Sequence, residues 1–298
     1  MASVNNGRTA AVVLNWRDSK QTVECIRSLL EEPLIAHVFV IDNESDGDLR
    51  LALAHLSDHE YTLLEVAENR GFSAGVNVGL RLALAGDFDS FLMLNNDAVL
   101  KPGSLSRLRT ALYSASDVAI VAPKVTNLDG SLQSLGSRLN RVTFAINPVA
   151  GERRANYLTW ACVLVRRTTF DLVGLLDERY FMYWEDVDFG FRVSSTGARQ
   201  LVVPEAVVSH NISSSHSTAG SNIAGYSALG LSVFGHSQGG RVRVAAFIRL
   251  CLRAAKLILA GNSRVAAAVM RMWTLGKTNS GPAYLLFGDP AGNEAGQK

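Results

Sequence analysis

Four short apolar runs near the start of this 298-residue chain constrain its fold more than any other feature. The runs are apolar throughout rather than alternating, which is typical of strands buried on both faces of a parallel sheet. Segments with helical spacing separate them, as in βαβ units. We therefore predict an α/β fold with a Rossmann-like, mostly parallel central sheet. The four runs are Ala10–Trp16, His37–Asp42, Tyr61–Val66 and Ser90–Asp97.

Beyond Pro123 the pattern is less regular. We expect a further strand at Leu158–Arg167, a helix over Val187–Gly197 and a pair of short strands within Gln200–His210. Helical, basic sequence follows. The predicted organisation is an α/β domain over residues 1–239 and a basic amphipathic helical appendage over residues 240–298.

The formal net charge of +2 conceals a strong asymmetry, because no acidic residue lies between Glu205 and Asp289. Arg249, Arg253 and Lys256 fall on one helical face of this basic stretch. An anionic partner is implied, either membrane headgroups or nucleic acid. We expect an anionic membrane surface and no nucleic acid, because aromatic residues spaced for base stacking are missing. The alternative is a helical pair that only packs on the α/β domain.

The location predicted from the sequence is cytoplasmic and peripheral, on the inner face of the cytoplasmic membrane. Cys25, Cys162 and Cys251 show no CxxC spacing and are expected to be buried, reduced thiols. The N-terminus lacks the basic start and apolar core of a signal peptide. No charge-free apolar stretch of about 18 residues suggests a transmembrane helix.

Polar residues follow three of the predicted strands: Asn15, then Asp42 and Asn43, then the run Asn95-Asn96-Asp97. Ligands of open α/β sheets bind beyond the C-terminal ends of the strands. Each cluster alone could be a turn or a helix cap. Because all three fall at the same edge of one sheet, we predict that they converge on one ligand crevice.

Two common nucleotide-binding loops are absent from the sequence. The first strand runs into NWRDSKQT, so neither GxGxxG nor GxxxxGK[ST] follows it. A nucleotidyltransferase is also disfavoured, because a basic phosphate-binding loop would be expected there. Gly71 and Gly75 instead bracket the start of a later helix, whose N–H groups could face phosphate oxygens beside the cation of Arg70.

A divalent cation is predicted from Asp97 and His210. Asp97 ends the fourth apolar run and His210 closes the run VVSH. Carboxylate and imidazole suit Mn²⁺ or Mg²⁺ here only if diphosphate oxygens complete the coordination shell. The alternative for His210 is a hydrogen-bonded histidine at a strand end.

The stretch YFMYWEDVDFGFR, residues 180–192, places three carboxylates directly after aromatic residues. An ionised carboxylate in a low-polarity site loses hydration unless something compensates. One interpretation is that the acids begin a helix and meet the positive end of its dipole. The other is that one acid accepts a proton from a substrate. Asp188 and Arg192 are spaced as an internal ion pair.

Taken together, these blocks resemble glycosyltransferase family 2, and within it the bacterial rhamnosyltransferase-like enzymes of surface-polysaccharide and lipopolysaccharide assembly. The resemblance runs from about Thr9 to His210 through VVLNW, VFVIDNESDGD, ENRGFSAGVNVGL, FLMLNNDAVL, WACVLVRR, GLLDERYFMYWEDVDFGFRV and VVSH. It implies a GT-A catalytic domain, a nucleotide-diphosphate sugar donor, a divalent cation and inversion at the anomeric carbon.

The resemblance also assigns roles on the donor side. Asp42 matches the acid that contacts the base and ribose, and Arg70 lies in a block that lines the nucleotide pocket. Asn95-Asn96-Asp97 occupies the DxD position, with Asn95 replacing the first acid. Weak metal binding before the donor arrives is therefore expected. His210 matches a late metal-ligand histidine.

On the catalytic side, the resemblance makes Asp186 the general base, and Glu185 is a candidate for binding an acceptor hydroxyl. Tyr183 and Trp184 are expected to form an apolar platform for a sugar, and Trp160 lies near the donor sugar. The implied activity transfers L-rhamnose from dTDP-rhamnose to a saccharide or lipid-linked acceptor of a bacterial surface glycan, such as lipopolysaccharide core or O-antigen. The alternatives are transfer of a hexose or N-acetylhexosamine from a UDP-sugar, and an inactive nucleotide-binding scaffold.

Overall fold

The computed structural model describes residues 7–45, 47–56, 61–149, 154–211 and 222–278. Within these ranges the strands are β1 Thr9–Asn15, β2 Ile35–Asn43, β3 Tyr61–Val66, β4 Ser90–Asn95, β5 Ala98–Leu100, β6 Val118–Thr126, β7 Leu132–Ser134, β8 Ser137–Leu139, β9 Ile146–Pro148, β10 Arg154–Ala155, β11 Cys162–Arg166 and β12 Arg199–His210. The helices are α1 Ser19–Leu30, α2 Asp48–Leu53, α3 Gly71–Ala85, α4 Ser104–Leu112, α5 Arg167–Val173, α6 Glu185–Ser195, α7 Asn222–Gln238, α8 Gly240–Leu259 and α9 Ser263–Lys277.

The predicted α/β fold with a mostly parallel sheet is confirmed. Eight strands lie in the order β10-β12-β6-β11-β4-β1-β2-β3, with β5 added to β12 and β7 added to β6. The four apolar runs near the N-terminus form β1 to β4, and their mutual pairings are parallel. Strand β11 runs antiparallel to both of its neighbours, β4 and β6.

Strand register brings the polar strand ends together. Asn15 pairs with Asp42 across β1 and β2, and Leu14 pairs with Asn95 across β1 and β4. The short strand β5 pairs antiparallel with the end of β12, which sets His210 opposite Ala98. All the polar clusters predicted to converge therefore lie at one edge of the sheet.

Helices cover both faces of the sheet. On one face, α1, α2 and α4 bury leucines and isoleucine against the strands, including Ile26, Leu53 and Leu108. On the other face, α3, α5 and α6 contribute side chains such as Leu80 and Phe189. The free thiols of Cys25 and Cys162 are buried as predicted, whereas Cys251 on α8 is partly exposed.

A third core lies between α6 and the C-terminal helices. Helices α7, α8 and α9 pack on one another. Their buried side chains, such as Phe234 and Leu250, belong to the same cluster as Tyr180 and Phe191 of the aromatic, acidic stretch. The catalytic candidates and the basic C-terminal helices thus share one hydrophobic core. Residues 279–298 of the predicted appendage lie outside the described residues. None of the described helices is both long and apolar enough to cross a bilayer.

Three boundaries differ from the sequence prediction. Strand β11 begins at Cys162 rather than Leu158, because its pairing with β4 starts at Cys162 opposite Leu94 and residues 160–161 form a turn. A single strand, β12, replaces the expected pair of short strands, and its register shift between Val203 and Val207 accommodates Pro204, which lacks an N–H donor. Helix α6 begins at Glu185, so the acids lie in its first turn.

Candidate active site

A cavity of about 230 Å³ opens at the edge of the sheet where the polar strand ends meet. Ten of the residues predicted for the site line it: Asn43, Gly71, Asn95, Asn96, Asp97, Trp160, Tyr183, Glu185, Asp186 and His210. Asn15, Asp42, Arg70 and Trp184 are not part of its lining. The lining thus joins segments more than 190 residues apart in the sequence, from Leu14 to His210.

A buried polar network supports the floor of the cavity. Asn15 donates its amide Nδ2 to Asp42 Oδ1 at 2.7 Å and accepts the hydroxyl of Thr22 at 2.7 Å. Asn96 donates to the same Thr22 hydroxyl at 3.0 Å. The other carboxylate oxygen of Asp42, Oδ2, is buried and has no hydrogen-bond partner among the described residues. A buried acceptor of this kind calls for a ligand donor or a water.

The glycine-rich helix start is closed by protein contacts. Gly71 has a φ of +77°, and the space of its missing side chain is filled by Phe181. Its N–H donates to Asn69 Oδ1 at 2.9 Å, and the N–H of Phe72 donates to the Phe181 carbonyl at 2.6 Å. The expectation that open N–H groups here face phosphate oxygens is therefore not met by these two groups. The guanidinium of Arg70 lies 3.9 Å from Glu178.

Asp97 and His210 are in direct contact. His210 Nε2 lies 3.0 Å from Asp97 Oδ1. His210 Nδ1 lies 2.7 Å from Gln133 Oε1, and the Gln133 amide nitrogen donates to the His210 backbone carbonyl at 3.3 Å. Because a backbone carbonyl can only accept, this second bond fixes the amide orientation, so Nδ1 carries the proton. The lone pair of a neutral His210 is therefore at Nε2, facing Asp97.

This pair fits a divalent cation that shares its coordination with a ligand. A carboxylate oxygen and an imidazole lone pair at this distance are two suitable donors. Among the described residues, no group of three or more His, Cys, Asp or Glu side chains could hold a metal on its own. Diphosphate oxygens and water would have to supply the remaining positions, as is usual for Mg²⁺ at phosphate sites.

Glu185 and Asp186 lie side by side in the first turn of α6, which begins after two consecutive left-handed residues. Tyr183 has a φ of +71° and Trp184 a φ of +76°, conformations that are costly for bulky side chains. Both acids line the cavity. Glu185 is buried, and its Oε2 has no hydrogen-bond partner among the described residues. Asp186 is half-buried, and its Oδ1 accepts the N–H of Val187 at 2.7 Å.

Burial raises the pKa of both carboxyl groups. Burial raises the pKa of Asp186 to about 6, against which hydrogen bonds from backbone N–H groups and from Tyr157 act. Burial, and then the neighbouring charge of Asp186, raise the pKa of Glu185 well above its usual range. A carboxylate with a pKa of about 6 is mostly ionised at neutral pH, so Asp186 can accept a proton there.

Tyr157 is a site residue that sequence analysis missed. Its hydroxyl donates to Asp186, and the negative charge of Asp186, followed by burial, raises the pKa of this phenol. The phenol therefore remains protonated at neutral pH and holds the carboxylate in place. A single tyrosine between two irregular segments carries no motif, so nothing in the sequence indicates this contact.

Helix α7 and a neighbouring hairpin support the catalytic segment from behind. A Cβ at Gly230 would lie 2.6 Å from the Tyr183 carbonyl oxygen, so only glycine allows this approach. The Trp184 ring packs on Phe234 of α7 and on Phe144, with ring centroids 5.4 and 5.7 Å apart. The platform expected from Tyr183 and Trp184 is thus split, because Tyr183 lines the cavity whereas Trp184 packs beneath it.

Two further aromatic contacts complete the walls. Trp160 lines the cavity and packs edge-on against Phe189 of α6 at 5.1 Å. Trp16, which sequence analysis also missed, lines the opposite part, and its indole donates to Glu44 at 2.7 Å. The position of Trp16 directly after Asn15 at a strand end is a signal that could have indicated it.

The remaining acid of the stretch has a structural contact. Asp188 Oδ2 accepts a hydrogen bond from Arg192 Nε at 2.7 Å, and Arg192 lies four residues further along α6, as the spacing predicts. Arg192 also donates to the Leu175 carbonyl at 2.9 Å. Asp188 is absent from the cavity lining, so of the three acids only Glu185 and Asp186 face the site.

The fold is that of the GT-A glycosyltransferases. The sequence model of the family described as "Glycosyltransferase like family 2" matches residues 7–223, and the chain belongs to this family. The resemblance and the class of enzyme expected from the sequence are thereby confirmed.

Relatives and solved structures agree with this assignment. The chain is 28% identical over 220 residues to an N-acetylglucosaminyl-diphospho-decaprenol L-rhamnosyltransferase of Mycobacterium tuberculosis, over 64% of this chain and 70% of the relative. The mannosyltransferase PcManGT of Pyrobaculum calidifontis, solved with GDP-Man and Mn²⁺, superposes with a TM-score of 0.57 at 13% identity, over 92% of this chain and 88% of that one. GalNAc-T7, solved with UDP, GalNAc and Mn²⁺, also gives 0.57 at 13% identity, over 69% of this chain and 43% of that chain.

Proposed function

We propose that this chain is an inverting, metal-dependent glycosyltransferase in which Asp186 is the general base. The observation that carries the proposal is the position of Asp186 on the cavity wall, held by Tyr157 and with its pKa raised to about 6 by burial. A carboxylate with that pKa is ionised at neutral pH and is basic enough to accept a proton from a hydroxyl that becomes acidic as it reacts.

The step proposed is a single displacement. The acceptor hydroxyl oxygen forms a bond to the anomeric carbon while the bond from that carbon to the diphosphate oxygen breaks. The hydroxyl proton passes to Asp186, and the nucleoside diphosphate leaves with the bonding electron pair. Glu185 hydrogen-bonds an acceptor hydroxyl, and the rings of Trp160 and Tyr183 exclude water. No covalent enzyme intermediate is required, which fits the burial of Cys162 inside the sheet.

Asp97 and His210 are proposed to hold Mn²⁺ or Mg²⁺ together with the donor diphosphate. A bound cation would neutralise the charge of the leaving diphosphate. The contact between Asp97 and His210, with Nε2 of His210 presented to the carboxylate, supports this assignment. Asp42 is proposed to bind the nucleoside, because its buried Oδ2 lacks a partner among the described residues. Asn43 lines the cavity and is proposed to contact the donor, whereas Asn15 and Arg70 would act indirectly, by positioning these groups.

The proposed donor is dTDP-rhamnose, and the proposed acceptor is a saccharide or a lipid-linked saccharide of a bacterial surface glycan. The support is the similarity to an L-rhamnosyltransferase whose named acceptor is decaprenol-linked. UDP-hexose and UDP-N-acetylhexosamine remain the alternative donors. An acceptor anchored to lipid places the reaction at a membrane, and we propose a peripheral location on its cytoplasmic face.

A second candidate is an inactive nucleotide-binding scaffold. One observation favours it: Asn95 stands where the family motif has its first acid. Its side chain therefore offers an amide rather than a carboxylate, and the amide Nδ2 lies 3.4 Å from His210 Nε2. A scaffold would bind the nucleotide sugar without turning it over.

Calorimetric titration with dTDP-rhamnose, UDP-glucose and UDP-N-acetylglucosamine, each with and without Mn²⁺, tests the proposal. We expect metal-dependent binding of dTDP-rhamnose, followed by slow metal-dependent hydrolysis when no acceptor is present. Binding of a UDP-sugar alone would replace the donor, and binding without any turnover would support the scaffold. No binding of any donor would contradict both candidates.

A further inference from the structure

Helix α8 exposes an apolar stripe on the side that faces away from the protein. The stripe consists of Val244, Ile248, Leu252 and Leu259, and exposure reaches 51% for Ile248, 60% for Leu252 and 88% for Leu259. On the opposite side of α8, small and apolar side chains such as Leu250 are buried against the neighbouring helices. A helix at a protein surface normally turns its polar side outward, so an apolar outer face indicates a partner.

The charges around the stripe restrict what that partner can be. Arg241 and Lys256 are exposed beside it, and Arg249 lies near the same edge. No Asp or Glu occurs in the sequence between Glu205 and Asp289. A second copy of the chain would bring like charges together, whereas an anionic surface would be attracted. An apolar stripe flanked by cations has the chemistry of an interfacial helix at anionic lipid.

The stripe lies close to the catalytic segment. Arg249 places its guanidinium 5.8 Å from the Phe144 ring centroid, and Phe144 packs on Trp184, which directly precedes Glu185. Arg253, by contrast, is half-buried and donates to Ser227 of α7 at 3.4 Å. The sequence placed Arg253 on the same face as Arg249 and Lys256, but its side chain turns toward the helix bundle.

We propose that the outer face of α8 docks on a bilayer that contains anionic lipid, with the stripe among the headgroups and Arg241 and Lys256 beside lipid phosphates. The docked helix holds the cavity wall formed by Tyr183, Glu185 and Asp186 near the bilayer surface, where a lipid-linked acceptor would reach it. This inference rests on the proposed membrane location and not on the transfer chemistry.

Flotation with vesicles tests it, using phosphatidylcholine alone and phosphatidylcholine mixed with phosphatidylglycerol. Two double variants are compared with the wild type: Ile248→Gln with Leu252→Gln, and Arg241→Gln with Lys256→Gln. Leu172→Gln on α5 is the matched control, because Leu172 is 68% exposed in a region away from α8. All these side chains are exposed, so we expect thermal unfolding to be unchanged.

The wild type and the control are expected to bind only the anionic vesicles. Loss of the two apolar side chains should weaken partitioning by at least roughly tenfold. Loss of the two cations should weaken it on the order of 30-fold at low salt, since each cation near an anionic surface contributes about 1 kcal/mol.

Three results would overturn the proposal. The wild type could fail to bind anionic vesicles, or both double variants could bind them as strongly as the wild type does. Sedimentation velocity could also show that the wild type is a dimer and that the Ile248→Gln, Leu252→Gln variant is a monomer. Donor binding is measured in parallel without vesicles and should be the same in all variants. Vesicle binding by a protein that binds no nucleotide sugar would leave this proposal standing while the proposed function fails.

Discussion

The two sides of the cavity hold their carboxylates in opposite ways. On the strand-end side, formed by the ends of β1, β2, β4 and β12, Asp42 and Asp97 sit in a network of amide, hydroxyl and imidazole groups. On the aromatic side, which contains Tyr157 and residues 183–186, Asp186 accepts hydrogen bonds from Tyr157 and backbone N–H groups, whereas Glu185 is buried and its Oε2 has no partner among the described residues. Burial raises the pKa of both acids on that side.

This difference matches two chemical tasks. A polar network fixes the positions of carboxylate oxygens, which suits the binding of a nucleotide and a cation. Sparse solvation makes a carboxylate a stronger base, which suits proton transfer. The two sides also differ in origin, because strand ends form one, whereas packing between α6, α7 and the Phe144 loop forms the other.

Removal of the proposed base should produce the largest effect, and it should impair only the proton transfer assigned to the aromatic side. We expect Asp186→Asn to lower turnover by roughly 10²–10⁴, because the isosteric amide cannot accept the proton. Donor affinity, measured by calorimetry, should stay within about twofold because the strand-end side is untouched. An equal loss of donor binding would mean that Asp186 has a structural role.

Removal of either proposed metal ligand should impair the cation and donor binding assigned to the strand-end side. We expect Asp97→Ala and His210→Ala each to weaken Mn²⁺-dependent donor binding on the order of 10–100-fold, because the remaining single side chain cannot anchor the cation. The measurement is donor calorimetry with and without Mn²⁺. His55→Ala, at a surface histidine that contacts Arg27, is the control. An unchanged response to Mn²⁺ in both variants would exclude them as ligands.

A methyl group at Gly230 tests whether the aromatic side depends on α7. We expect Gly230→Ala to lower turnover roughly tenfold with unchanged donor affinity, because its Cβ would displace the Tyr183 carbonyl and the acids that follow. Gly235→Ala is the matched control on the same helix: its Cβ would lie 2.6 Å from Ala246 of α8 and would meet no atom of the Tyr183 or Trp184 backbone among its three nearest contacts. Both variants should melt at lower temperature. Equal turnover losses would argue against a specific role for α7.

The smallest expected effect concerns pH. Because Asp186 must be ionised, turnover should fall about tenfold per unit as the pH drops below about 6. The hydrogen bond from Tyr157 lowers this pKa, so Tyr157→Phe should move the acidic limb upward by up to about one pH unit. Tyr180→Phe is the control, since its hydroxyl faces Asp188 at 3.4 Å. A profile that Tyr157→Phe does not move would remove Tyr157 as a partner of the base.

The strand-end side could be predicted because its determinants are local. Uniformly apolar runs define β1 to β4, and a parallel sheet places their polar ends at one edge whatever the details of packing. The direct contact between Asp97 and His210 could not be derived from these runs alone. It depends on the three-residue strand β5, which is too short to give a periodic signal in the sequence. Gln133, on the equally short β7, could not be recognised for the same reason.

The aromatic side could be predicted only in part. The resemblance pointed to Asp186, but Tyr157 and Gly230 act through contacts between residues distant in the chain, and neither lies in a motif. The closed N-terminus of α3 was also beyond sequence analysis, because it depends on where Phe181 packs. Charge counting identified the basic character of α8, whereas the side to which each cation turns depends on the bundle around it.

The core shared by the C-terminal helices and the catalytic segment has a consequence during synthesis. The ribosome makes the chain from its N-terminus, and the sheet can assemble as its strands appear. Residues 180–191 must wait for partners as late as Met272. A nascent chain therefore packs its catalytic segment fully only after the helix that carries Met272 has been made. The order of synthesis thus makes α7, α8 and α9 a precondition for the packing of the segment that carries Glu185 and Asp186.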